Sequence, residues 1–174
     1  MTEEVEKKID PENTLILETS KGNVVIELLP DIAPEHVKRI KELVRAGAYN
    51  KVIFHRVIDG FMAQTGDVEF GKKGSRKFKL SHVGMGGSKK PDLKAEFSNI
   101  PHKRGTVSMA RSQNPNSGNS QFFICFEDAP WLNRQYTVWG QVVEGMENVD
   151  QLKRGEPPRG ADLIQKATIA SDVE

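Results

Sequence analysis

Short runs of β-branched and aromatic residues recur along this chain, each ended within a few residues by glycine, proline or asparagine, while helical periodicity is scarce. Residues 15–19 (LILET) and 24–29 (VVIELL) flank Ser20-Lys21-Gly22-Asn23, a pattern that predicts a β-hairpin. Residues 54–58, 105–110, 120–126, 137–143 and 162–170 read as further strands. The run Phe122-Phe123-Ile124-Cys125-Phe126 is apolar at every position, so both faces of that strand need cover and it belongs inside a sheet. Only two segments carry a helical period. In 34–46, Val37, Ile40, Leu43 and Val44 line one face; Pro34 suits the first turn, Glu35 the positive end of the dipole, and Gly47 a stop. In 144–154, Met146, Val149 and Leu152 form a narrower stripe ended by Gly155. Many strands with two short helices predict a mainly β fold, a closed or nearly closed barrel with helices over its ends.

A chain of 174 residues can bury a real core without disulfides or metal. No internal repeat or linker divides it, so the expectation is an N-terminal tail over 1–13 and one domain over 14–174. Lys+Arg 25 against Asp+Glu 24 excludes a generally basic nucleic-acid surface. The single cysteine, Cys125, has no partner for an internal disulfide, and four histidines with one cysteine exclude a Cys-rich zinc module. The longest apolar run is far shorter than the ~20 residues of a membrane span. The opening MTEEVEKKID has no apolar core of a signal peptide, so a cytoplasmic location is expected. No heptads occur, which favours a monomer. One stretch breaks the charge balance. Residues 71–90 hold seven basic side chains (Lys72, Lys73, Arg76, Lys77, Lys79, Lys89, Lys90), five glycines and no acid, so 68–90 reads as a basic glycine-rich loop. It is either a solvated surface or a patch for acidic partners or nucleic acid; with only Phe70 and Phe78 interleaved, nucleic acid is the less favoured partner.

The familiar catalytic arrangements are missing from the sequence. Cys125 sits within an apolar strand, where a thiol is normally inert packing. His36, His55, His82 and His102 are scattered without metal-ligand spacing. Gly84-Met85-Gly86-Gly87 lacks the Gly-Lys-Ser/Thr ending of a phosphate-binding loop, and no Gly-x-Ser-x-Gly occurs. What remains is Phe54-His55-Arg56-Val57-Ile58-Asp59-Gly60-Phe61-Met62-Ala63-Gln64-Thr65-Gly66-Asp67. If 54–58 is a strand, Arg56 shares a face with Phe54 and Ile58. An arginine there is either a buried ion pair or a working guanidinium on a concave apolar surface.

That block resembles the signature of the cyclophilins, the cyclosporin-binding peptidyl-prolyl cis-trans isomerases. Arg104-Gly105-Thr106-Val107-Ser108-Met109-Ala110, Asn119-Ser120-Gln121-Phe122-Phe123-Ile124, Trp131-Leu132 and Val138-Trp139-Gly140-Gln141-Val142 are similar to further blocks of the family, in order, from about residue 14 to 170. The resemblance implies an eight-stranded antiparallel closed β-barrel capped by two α-helices, no cofactor, and action on proline-containing peptides and on unfolded or partly folded proteins. It assigns Arg56 as the catalytic donor. Phe61, Met62, Phe123 and Leu132 match the proline pocket, and Gln64 the residue that bonds the peptide backbone. His55, Ala110, Arg111, Gln121 and Trp131 match other positions along the groove, with backbone around Ala110 and Arg111 pairing an extended peptide. Trp131 matches the tryptophan associated with cyclosporin, which makes that drug a candidate ligand. The chain departs from the pattern at Tyr136, where many relatives carry histidine, and at Arg111, where asparagine is common. Residues 68–83 run about ten longer than in the familiar eukaryotic members, and residues 113–119 one longer. Tyr136 points to an altered preference for the residue before proline, and Tyr136 with the long loop to a bacterial member.

Overall fold

The computed structural model describes residues 10–173, which form nine strands. β1 (Thr14–Thr19) and β2 (Gly22–Leu28) form the expected hairpin, with Thr14 opposite Glu27 and Thr19 opposite Gly22. β3 (Val52–Ile53), β4 (Arg56–Ile58), β5 (Met62–Thr65), β6 (Thr106–Met109), β7 (Phe122–Cys125), β8 (Val138–Glu144) and β9 (Leu163–Ile169) complete one sheet. Its order is β3-β9-β1-β2-β8-β6-β7-β5-β4, antiparallel throughout. The fully apolar β7 lies inside the sheet between β5 and β6, as its composition requires.

The expected closed eight-stranded barrel is corrected to a strongly curled nine-stranded sheet. Its outer strands, β3 and β4, are separated by only two residues in the chain yet do not pair. Their free edges are taken up by loops. Val52 bridges Lys72, and the Ile53 N–H donates to the Gly71 carbonyl (2.9 Å). Val57 and Gly155 exchange two backbone bonds, of 2.9 and 2.8 Å. Among the described residues, both outer edges are thus bonded to loops and not to each other.

α1 (Pro34–Arg45) agrees with the periodic pattern and buries Val37, Ile40, Leu43 and Val44. The second helix is shorter than 144–154: α2 (Met146–Val149) is a single turn. The last i−4 bond runs from Asp150 N to Met146 O (3.0 Å); Gln151 and Leu152 then bond to carbonyls three residues back. The Arg154 guanidinium caps the Asp150 and Leu152 carbonyls at 2.7 Å each, which ends the helix. In the predicted tail, residues 1–9 lie outside the described residues, whereas Pro11–Asn13 make a 3-10 turn. Glu12 of that turn pairs with Lys41 (3.1 Å) and Arg45 (2.9 Å) of α1.

Two apolar clusters form, one on each side of the β4-β5-β7 part of the sheet. Val57, Ala63, Phe122 and Ile124 belong to the larger core with Trp139 and Tyr49. Phe122 stands edge-on to both rings, at 5.2 and 5.6 Å, and the Tyr49 hydroxyl donates to the Ser120 carbonyl (2.8 Å). The alternate residues Met62, Phe123 and Cys125 point to the other side and join Ala129 and Leu132. That second cluster is the floor of the site.

Candidate active site

Register, rather than sequence proximity, assembles the polar groups. Arg56 lies opposite Gln64, Gln64 opposite Phe123, and Phe123 opposite Ser108, so one row crosses β4, β5, β7 and β6. The next row holds Ile58, Met62 and Cys125. Strand alternation puts both rows on the outer face, a guanidinium and an amide beside an apolar floor. Phe54 is not on that face: it precedes β4, its N–H donates to the Asp162 carbonyl (2.8 Å), and its ring is in the main core.

Above the floor opens a cavity of about 400 Å3. Ten of the predicted site residues line it: His55, Arg56, Phe61, Met62, Gln64, Ala110, Arg111, Phe123, Leu132 and Tyr136. Gln121 lies in an adjoining hollow that shares Gln64, Ala110 and Arg111 with the first. Trp131 stands at the rim, 64% exposed, its ring 5.8 Å from that of Phe61. Tyr136 stands edge-on to Phe123 (5.6 Å, 85°) and carries the Arg111 guanidinium 4.5 Å above its ring. Arg111 also donates to the Gln135, Ser112 and Gln113 carbonyls. Tyr136 is thus a lining aromatic held by an edge-on ring and by a guanidinium over its face.

The Arg56 side chain is partly exposed. Its Nε donates to Glu156 (2.8 Å), its Nη1 reaches Gln64 Oε1 (3.5 Å), and its Nη2 has no hydrogen-bond partner among the described residues. Gln64 in turn donates to Gln121 Oε1 (3.0 Å), and Gln121 donates to the Gly84 and Gly86 carbonyls at 2.9 and 2.8 Å. The Ala110 N–H is already bonded to the Gln121 carbonyl (2.9 Å). The next peptide group, the Ala110 carbonyl with the Arg111 N–H, makes no backbone bond among the described residues. Burial pushes the His55 imidazole down to about 4, with Asp67 partly opposing, so it lines the cavity as a neutral ring at pH 7. Among the described residues no three His, Cys, Asp or Glu side chains gather as a metal site.

Five lining residues went unmarked by the sequence: Val83, Gly84, Met85, Glu156 and Pro157. The first three come from the basic loop, which is a built wall rather than a loose strap. Buried Asp67 accepts four backbone N–H groups, from Glu69, Phe70, Gly84 and Gly86, at 2.7–3.0 Å. Gly84 adopts φ +100°, and a Cβ there would sit 3.3 Å from the His55 ring. Lys72 is an anchor: its Nζ donates to the Gly47 and Asn50 carbonyls beyond α1, both at 2.8 Å. The glycine density of 84–87 was the available signal, and it marks a close approach of backbone to the site.

Comparisons with known proteins agree with this architecture. Residues 14–172 match the family described as cyclophilin type peptidyl-prolyl cis-trans isomerase/CLD. The chain is 61% identical over 170 residues to a probable peptidyl-prolyl cis-trans isomerase of Brucella suis, covering 95% of this chain and 86% of that one. It is 40% identical over 144 residues to peptidyl-prolyl cis-trans isomerase B of Escherichia coli, covering 78% and 80%. Its fold resembles the crystal structure of the cyclophilin AquaCyp293 from Hirschia baltica, with TM-score 0.82 and 32% identity over 95% of this chain and 77% of that one. A Cryptosporidium parvum cyclophilin type isomerase, crystallised in the presence of the dipeptide Ala-Pro, gives TM-score 0.77 and 27% identity over 90% and 98%. With the strand row, the apolar floor and the matching family blocks all in one chain, this protein belongs to the cyclophilin-type peptidyl-prolyl cis-trans isomerases.

Proposed function

We propose that the protein accelerates rotation about X-Pro bonds by donation from Arg56 to the prolyl nitrogen while the proline ring occupies the notch over Met62 and Phe123. An amide nitrogen resists rotation because its lone pair is delocalised into the carbonyl, with a barrier of ~18–20 kcal/mol. At the twisted transition state the nitrogen is pyramidal and basic. A donor aimed at it stabilises the twisted form above either planar form, which is what lowers the barrier. Arg56 supplies a permanent charge and a planar fork of donors. No bond is made or broken, so the step asks for no nucleophile, metal or cofactor.

The observation that carries this reading is the row Arg56–Gln64–Phe123, a guanidinium whose Nη2 has no partner among the described residues, beside an apolar floor in one open cavity. Phe61, Leu132 and Tyr136 would close the notch round the ring. Gln64, the Ala110–Arg111 peptide group and Gln121 would hold the flanking backbone, so exposed X-Pro segments of unfolded or partly folded chains are the substrates. Cyclosporin would compete for the same notch, with Trp131 at its rim. The test is the cis-to-trans relaxation rate of a Pro-containing peptide with and without cyclosporin. Arg56→Ala should lower kcat/KM by about 10²- to 10³-fold, the scale of losing one transition-state donor. An unchanged rate rejects the mechanism, and peptide binding without acceleration leaves a binding module.

A further inference from the structure

Glu156 belongs to Gly155-Glu156-Pro157-Pro158, a turn composition with no motif in it. The fold nevertheless puts it against Arg56. Gly155 pairs antiparallel with Val57 through two backbone bonds, so the next residue of the turn falls opposite the preceding residue of β4, and that residue is Arg56. Among the described residues, Glu156 is the only acidic side chain lining the cavity.

The two contacts on the guanidinium are unequal. The bond from Nε to Glu156 is 2.8 Å and charge-assisted, whereas that from Nη1 to Gln64 is 3.5 Å, at the limit of a hydrogen bond. Arginine has several free torsions, and a partly exposed one samples many rotamers unless held. A grip on the Nε edge fixes the plane of the fork and leaves the terminal nitrogens for a ligand. Gln64 alone is too weak a contact to do this. Glu156 makes no hydrogen bond except to Arg56 among the described residues, and its side chain is 56% exposed, so it contributes little else to the fold.

We propose that Glu156 is the positioning residue for Arg56, holding the guanidinium in the orientation from which it donates. The proposal rests on Arg56 acting as the donor. The experiment measures kcat and KM on a Pro-containing peptide for wild type, Arg56→Ala, Glu156→Ala, Glu156→Gln and the double variant Arg56→Ala/Glu156→Ala, with thermal unfolding of each. Glu156→Ala should lower kcat about fivefold, the most an exposed pair of this kind supports, with KM and the unfolding midpoint unchanged. Glu156→Gln keeps an oxygen for Nε and should recover most of the lost kcat. In the Arg56→Ala background, adding Glu156→Ala should cost nothing more. Wild-type kcat in Glu156→Ala, a Gln variant as slow as the Ala variant, or a further loss in the double variant each overturns the proposal. Full activity in Arg56→Ala instead overturns the underlying mechanism, so the two failures are distinguishable.

Discussion

Phe123 and Cys125 share one face of β7, yet one ring borders the cavity and the other side chain is sealed beneath it. Burial pushes the Cys125 thiol up to about 12, with Asp128 adding to it. At pH 8 it is therefore protonated, and a disulfide reagent should leave it untouched in the native protein and titrate one thiol after unfolding; rapid native reaction contradicts this. Tyr136 and Arg111, both set apart by the family resemblance, are in contact with each other, the guanidinium lying over the ring. With the Arg111 guanidinium gone, that ring loses a cation–π contact of roughly 0.5–1 kcal/mol. Arg111→Ala should therefore raise KM about two- to fivefold with kcat nearly intact, and a kcat loss instead would place Arg111 in the chemistry. Motif comparison picked out both Arg111 and Tyr136 as single residues. The clamp between them was not legible, because it depends on where the 111–117 segment turns back toward Gln135.

At the scale of elements, local residue pattern was the most readable signal. Runs of β-forming residues around a turn gave the hairpin, an unbroken apolar run the central β7, and a helical period the apolar face of α1. Local pattern failed at β5, where Met62-Ala63-Gln64-Thr65 holds one β-branched residue; that segment is extended because β4 and β7 pair with it on both sides. It failed also at β3, too short to show a period. The basic loop was legible as glycine-rich and charged, but its organising residue is an acid outside the basic run. Asp67→Ala would strand four backbone N–H groups in a buried site. The expected loss is about 2–4 kcal/mol in urea denaturation, together with a raised KM as the 83–86 wall loosens. Asp67→Ala with native stability and KM would show that the loop holds itself.

Over the whole molecule, histidines His36, His55 and His102 are each shifted below their ordinary value, burial being the largest cause. A lowered native value means the unfolded chain binds more protons between the two values. For His55 that window runs from about 6.5 down to about 4. Stability is thus complete above pH 6.5, falls as pH drops through the window, and is fully reduced below it, by on the order of 3 kcal/mol for His55. The urea midpoint should be lower at pH 5 than at pH 7.5, with His55→Phe reducing the difference; equal midpoints would contradict the assignment. By itself the sequence determined which residues face inward and which stretches carry the isomerase pattern, because side-chain alternation and residue chemistry are local. Only the tertiary structure decided that the sheet curls without closing, that the second helix is one turn, that Asp67 anchors the loop wall, and that Met85 and Glu156 line the cavity. Those outcomes depend on which groups find partners in space, from the Arg154 cap and the Asp67 anchor to the pairing of Val57 with Gly155, and a local residue pattern carries no information about such pairings.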